Sequence, residues 1–227
     1  TILVSIVTSL GVVLLPRASY YIEYDLKDEF YRITNKAIEF VTLVAFPMTL
    51  YFILFAKEGI FFLSGNAYEG SILPMQIIMP TLILIGYTNI MGIQMLVPLG
   101  REKVVLYSEI AGAIVDLILN AILIPKLGAS GAAIGTVAAE AAVWIVQFGA
   151  LKDEVTEAYA QIKYLPIGIA IAIGSVGSLC IKLLNFGNFV ALLLSGIIFF
   201  SIYGILLIWM REPLILEIRE TIIKKIL

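Results

Sequence analysis

Seven apolar stretches separated by short polar gaps occupy most of this chain, at about residues 2–15, 37–56, 72–98, 104–124, 129–151, 165–184 and 189–210. A helix rising 1.5 Å per residue needs about 20 residues to cross a hydrocarbon core of about 30 Å. Six of the seven stretches reach that length. The first is shorter, begins already apolar and has neither a basic leader nor a small-residue cleavage site. It therefore reads as a spanning helix whose start lies beyond the chain, not as a signal peptide. The pattern predicts an all-α fold: a polytopic transmembrane helix bundle with seven spans.

The gaps are not alike. Twelve of the fifteen Lys and Arg residues fall in every second gap: Arg17, Lys27, Arg32, Lys36, Arg101, Lys103, Lys152, Lys163, Arg211, Arg219, Lys224 and Lys225. The alternate gaps hold Lys57, Lys126 and Lys182. Short loops rich in Lys and Arg stay on the cytoplasmic side of a membrane, so the first set is expected inside, with the C-terminus cytoplasmic and the first helix running inward.

Three gaps are long enough to hold structure. Residues 17–36 mix charges with Tyr20, Tyr21, Tyr24, Phe30 and Tyr31 and are expected to form a cytoplasmic interfacial helix. Residues 57–71 carry Gly59, Gly65 and Gly70 and read as an outer loop. Residues 152–164 separate five spans from a final pair. The expected division is a bundle at 1–151, a linker with two further spans at 152–210, and a tail at 211–227. In the tail, Ile215, Ile218, Ile222 and Ile226 recur at helical spacing beside Arg219, Lys224 and Lys225, a pattern suited to an amphipathic helix on an anionic inner leaflet.

Composition narrows the function. The 227 residues are 61% hydrophobic and 14% charged, with a mean hydropathy of +1.03; a soluble domain carries about 25% charged residues. A net charge of −2 offers no basic face for nucleic acid. Histidine is absent, which removes Ser-His-Asp and Cys-His catalysis and His-containing zinc sites. Cys180 is the single cysteine, so no intrachain disulfide forms. No Gly-rich phosphate loop, metal-ligand spacing or nucleophile elbow is present. Neither an enzyme, a catalytic residue nor a metal centre is expected.

Chemistry concentrates in the fourth and fifth spans. Glu109, Asp116 and Asn120 are seven and four residues apart, on one helix face, with Gly112 and Ala113 leaving that face open. A carboxylate at the bilayer centre costs at least about 2.5–3.5 kcal/mol, so these acids are expected to look onto a wet passage, although Glu109 lies close enough to the span's end to reach water directly. Glu140 is the other deep acid, with Gln147 seven residues on; it either bonds a neighbouring span or lines the same cavity. Asn89 and Gln94 add polar groups to the third span, which Pro74, Pro80, Gly86 and Gly92 interrupt. The fifth span opens on small residues, Gly131, Ala132, Gly135, Thr136 and Ala139, a face expected to let another helix approach closely. Arg17 and Arg101, at the basic ends of spans, are candidate contacts for a phosphate or a sugar acid.

Four segments together carry a family resemblance: Leu14-Leu-Pro-Arg-Ala-Ser-Tyr20, Gly92-Ile-Gln-Met-Leu-Val-Pro-Leu-Gly-Arg-Glu-Lys103, Asn120-Ala-Ile-Leu-Ile-Pro125, and Gly128-Ala-Ser-Gly-Ala-Ala-Ile-Gly-Thr136 with Ala139-Glu140. In this order they resemble the C-terminal half of polysaccharide-transporter (O-antigen) flippases of the multidrug/oligosaccharidyl-lipid/polysaccharide exporter superfamily. The resemblance covers about residues 3–151; the last two spans match by hydropathy alone. It implies that this chain is the second bundle plus two extra helices of a 14-helix flippase. The implied activity is alternating-access flipping of undecaprenyl-pyrophosphate-linked oligosaccharide across the bacterial plasma membrane, for surface polysaccharide or capsule export. Membrane lipids, the lipid-linked oligosaccharide and the missing N-terminal half would be the partners. No cofactor is implied beyond a coupling ion, H⁺ or Na⁺. The rivals are an ion-coupled multidrug/cation antiporter of the same superfamily, a lipid II flippase, which would call for a markedly cationic cavity, and a membrane glycosyltransferase, which would need catalytic acids on a large loop.

Overall fold

The computed structural model describes residues 2–184 and 186–217; those residues form helices and no strand. The first helix, α1, runs Ile2–Glu23 and the second, α2, Lys27–Leu54. They are joined by Tyr24–Leu26, where Asp25 takes a φ of 55°. Charged residues here extend the two helices, in place of the separate interfacial helix expected over residues 17–36. Hydropathy marks only the part of a helix that matches the lipid. Beyond it, α2 is supported by Asp28 and Glu29 in its first turn, which suit the positive end of the helix dipole, and by the Arg32–Glu29 ion pair one turn apart.

The expected outer loop over residues 57–71 is also largely helical. It holds α3 (Ala56–Ser64) and a 3₁₀ segment, Asn66–Ser71, separated by Gly65 at a φ of 85°. The third span is broken into α4 (Ile72–Ile78), α5 (Thr81–Thr88) and a π-helical segment, Asn89–Leu96. The two halves of this span meet at 42°. Pro80 sits at the break and can donate no backbone hydrogen bond. Hydroxyls take up carbonyls there: Thr81 Oγ1 donates to Ile78 O at 2.7 Å and Thr49 Oγ1 to Met79 O at 3.4 Å.

Next come α6 (Glu102–Leu127) and α7 (Ala129–Ala150), an antiparallel pair turning at Gly128, whose φ is 55°. Glycines set their separation. A Cβ on Gly131 would lie 2.5 Å from the Leu123 carbonyl oxygen, one on Gly135 2.4 Å from Asn120 Oδ1, and one on Gly112 2.6 Å from Val143 Cγ2. The small-residue face of the fifth span is thus a packing surface. Helix α8 (Lys152–Gln161) buries Val155 and Ala158, and its Glu154 pairs with Arg101 at 3.0 Å. The remaining helices are α9 (Tyr164–Leu179), continued by a 3₁₀ segment at Cys180–Leu184, and α10 (Asn188–Trp209).

Backbone contacts group the chain into two units, Thr1–Thr49 with Leu73–Gln161, and Leu50–Ile72 with Ile162–Leu227. The division after Gln161 falls within residues 152–164, between the five spans and the final pair, and Glu154 of α8 pairs with Arg101 of the first unit. In the first unit, Gly86 of α5 lies under Val7 of α1 and Val41 of α2, where a Cβ would approach within 2.7 and 2.6 Å. Thr42 and Tyr87 share a hydrogen bond of 2.8 Å.

The second unit includes residues 50–72, which the chain order alone did not attach to the last spans. Tyr51 donates to the Leu192 carbonyl of α10 at 2.6 Å. Lys182 Nζ reaches Glu58 Oε1 at 3.1 Å and the Leu54 carbonyl at 2.8 Å. The expected tail helix falls partly outside the described residues, since Ile218, Arg219, Ile222, Lys224, Lys225 and Ile226 are not among them; residues 213–217 are helical.

Six described helices are long and apolar enough to cross a membrane, seven if the bent pair Asn66–Ile78 and Thr81–Leu96 is one span. The fold is an all-α polytopic membrane bundle.

Candidate functional site

Within the first unit, the third span, α6 and α7 line an open cavity of about 220 Å³. Its polar lining is Thr88, Asn89, Glu109, Glu140 and Gln147; Ile85, Ile93 and Val105 supply apolar wall. Among the described residues, no Lys or Arg lines it. Each side has a sequence cause. Asn89 opens the π segment, in which the Val97 N–H reaches back to Gly92 O at 3.2 Å; such wide turns inside α-helices recur at functional sites. Gly92 leaves room for α7, since a Cβ there would lie 3.0 Å from Gln147 Nε2.

Gln147 is 1% exposed. Its Nε2 donates to Ser108 Oγ at 3.1 Å, and Ser108 in turn donates to the Val105 carbonyl at 2.7 Å. That leaves Gln147 Oε1 buried with no donor among the described residues, and Asn89 Oδ1 is in the same condition. Burying an unpaired polar oxygen costs about 1–3 kcal/mol; Gln147 Oε1 lies against Gly92, 3.3 Å from where a Cβ would sit, and Asn89 Oδ1 faces Gly11 of α1. Glu140 is half-buried, and Glu109 is exposed.

The other polar residues singled out in the sequence lie elsewhere. Asn120 Nδ2 donates to Asp116 Oδ2 at 2.9 Å, with the pair packed against Gly135 of α7. Neither residue lines the cavity. Spacing put Glu109, Asp116 and Asn120 on one face, and that face does turn toward α7. Asp116, however, sits about 10 Å farther along the helix axis than Glu109, where glycines close the gap. Asp116 Oδ1 and Asn120 Oδ1 are both buried without a donor among the described residues.

Gln94 is 2% exposed and faces α1; a Cβ on Gly11 would meet its Nε2 at 2.5 Å and Asn89 Oδ1 at 2.4 Å. Arg101 is committed to Glu154 and to the Ala150 carbonyl at 3.2 Å, and Arg17 is exposed near the end of α1. Neither arginine lines the cavity. Thr88 and Ser108 were not anticipated. Their signal was present as the adjacent polar pairs Thr88-Asn89 and Ser108-Glu109 within apolar stretches. Among the described residues no cluster of three or more His, Cys, Asp or Glu could hold a metal ion.

No protein-family model matches this chain, and no solved structure matches it. It is 26% identical over 216 residues to an uncharacterized membrane protein of Methanocaldococcus jannaschii, an alignment covering 95% of this chain and 42% of the relative. The chain therefore spans less than half the length of that relative. It is a membrane protein with multiple spans. The relative's description carries no activity, substrate or partner.

Proposed function

We propose that this chain is one bundle of a transporter that moves a prenyl-pyrophosphate-linked oligosaccharide across a prokaryotic plasma membrane by alternating access, with the Lys/Arg-rich ends and the C-terminus cytoplasmic. The observation that carries the reading is the polar cavity beside a broken span. Discontinuous helices with unsatisfied backbone and side-chain groups at membrane depth mark substrate and ion paths in transporters. Carboxylates there are too costly to keep without a use. The resemblance of the four segments supplies the substrate class, and the remainder of a longer chain would supply the facing half of the passage. Arg17, exposed near the end of α1, is the residue this reading offers to a pyrophosphate at the cytoplasmic mouth.

One observation favours a second reading. Among the described residues the cavity presents acids and amides with no basic group, which suits a cationic substrate and hence an ion-coupled multidrug antiporter.

The test is flipping of a fluorescent lipid-linked oligosaccharide by the full-length protein in proteoliposomes. Wild-type protein should expose the glycan to an external lectin, and Glu140→Ala should slow this about 10²-fold at equal reconstitution, the size of effect typical of losing one well-placed charged group. Absence of flipping with active efflux of a cationic dye would hand the assignment to the antiporter.

A further inference from the structure

We propose that α8 is a hinged strap behind the cavity wall. It is tied to the ends of the third span and α7 that carry Arg101 and Ala150, and it lifts as a unit when the Arg101–Glu154 ion pair opens. The inference rests on the transport reading above, in which those ends are cytoplasmic, and adds the moving part that opens the cavity to that side.

Helix α8 has 10 residues, too few to cross lipid, and non-helical residues bound it. Leu151 before it has φ −113° and ψ 16°, and Lys163 after it has φ −81° and ψ 77°. Hinge motions are absorbed at a few such positions at the ends of elements. One face of α8 is polar, with Lys152, Asp153, Thr156, Glu157 and Gln161 exposed. The other carries Val155 and Ala158, both buried, so lifting uncovers little apolar surface.

Two contacts hold α8 in place, and both reach the third span. Arg101, which follows that span, pairs with Glu154 at 3.0 Å and donates to the Ala150 carbonyl at 3.2 Å. Its side chain is 46% exposed, so water competes for it and the pair is weak enough to open and reclose. The second contact is Tyr159, whose ring meets Tyr87 of α5 edge-on at 5.1 Å and Phe148 of α7 at 5.7 Å. Trp144 Nε1 donates to the Tyr159 hydroxyl at 3.5 Å. Tyr87 precedes Thr88 and Phe148 follows Gln147, and Thr88 and Gln147 both line the cavity. Tyr159 therefore braces two walls from behind, and lifting α8 frees both together.

The measurement is the rate at which single cysteines react with a membrane-impermeant maleimide. It uses the full-length protein in nanodiscs, on an otherwise cysteine-free background. Thr156→Cys, on the exposed face, should react fast. Ala158→Cys, on the covered face, should react about tenfold or more slowly, through openings of α8. Glu154→Gln and Arg101→Gln should each speed Ala158→Cys about two- to fivefold, the range an exposed ion pair supports, and leave Thr156→Cys unchanged. Combining them should give no more than the larger single effect, because they remove one shared contact. Where Ala158→Cys does not purify as a monodisperse species, hydrogen exchange of the α8 amides gives the same comparison. In proteoliposomes, joining Arg101→Cys to Glu154→Cys with a short cleavable thiol cross-linker should stop flipping, and cleaving the link should restore it.

The inference is overturned if Ala158→Cys reacts as fast as Thr156→Cys, if neither Gln variant speeds it, or if the linked protein flips as it did before linking. Labelling needs no transported lipid. A protein that labels as described but flips nothing would sink the transport reading and leave the strap. Normal flipping with an Ala158→Cys that ignores both Gln variants would do the reverse.

Discussion

At the scale of single residues, glycine decides how close the helices come. Gly131 of α7 faces the backbone of α6 near Leu123, and a Cβ there would lie 2.5 Å from a carbonyl oxygen, which cannot rotate away as a side-chain tip can. Gly149, on the same helix, has nothing within 4 Å of its Cβ position. Gly131→Val should therefore destabilise the protein by about 1–3 kcal/mol, the usual cost of overpacking a close contact. Gly149→Val should change the melting temperature little, because the valine side chain meets open space. Equal melting temperatures for the two variants would show that the α6–α7 approach is looser than described. Residue type also explains why Glu109 and Glu140 meet at one cavity: each sits where small or amide neighbours, Gly92 and Gln147 among them, leave space between helices.

At the scale of elements, the broken third span sets the shape of the site. Pro80 interrupts the helix, the halves meet at 42°, and the π segment that follows carries Asn89 and Gly92 to the α7 side. Pro80→Ala would restore a backbone donor and favour a straighter helix. The expected result is a melting temperature that does not fall, with flipping slowed about tenfold or more as the wall carrying Asn89 shifts, since misplacement by about 1 Å can cost as much as 10²-fold. Wild-type flipping in this variant would remove the bend from the mechanism.

Much of this level was legible in the chain. Apolar length gave the spans, because crossing lipid imposes a length. Pro80 marked a break, and the small face of the fifth span marked a close contact. Other features were not legible. Helices α1 and α2 continue past the apolar core because Asp28, Glu29 and Arg32 sustain helix where hydropathy fades. The π turn at Asn89–Leu96 depends on packing around Gly92. The meeting of Glu109 with Glu140, and the separation of both from Asp116, depend on the register between α6 and α7, which is set by glycines on one helix meeting backbone on the other. Spacing along one helix reports a shared face but not the depth at which a neighbour leaves a gap.

At the scale of the whole molecule, the chain spans less than half the length of its archaeal relative, and α6 buries little of itself, with Ser108 and Gly112 its buried residues. Its exposed face carries Leu106, Ile114, Leu117 and Ile118, apolar side chains suited to lipid or to another bundle. The account depends on a contrast between that dry face and a wet cavity on the other side of the same helix. The most direct measurement is reaction of single cysteines with a membrane-impermeant thiol reagent in the full-length protein, in a Cys180→Ser background. Asn89→Cys and Glu109→Cys should react from one side of the membrane and be protected by an excess of the transported lipid-linked glycan, while Leu117→Cys stays inert. If Asn89→Cys and Glu109→Cys prove as unreactive as Leu117→Cys, the cavity holds no water path, and the transport assignment fails with it.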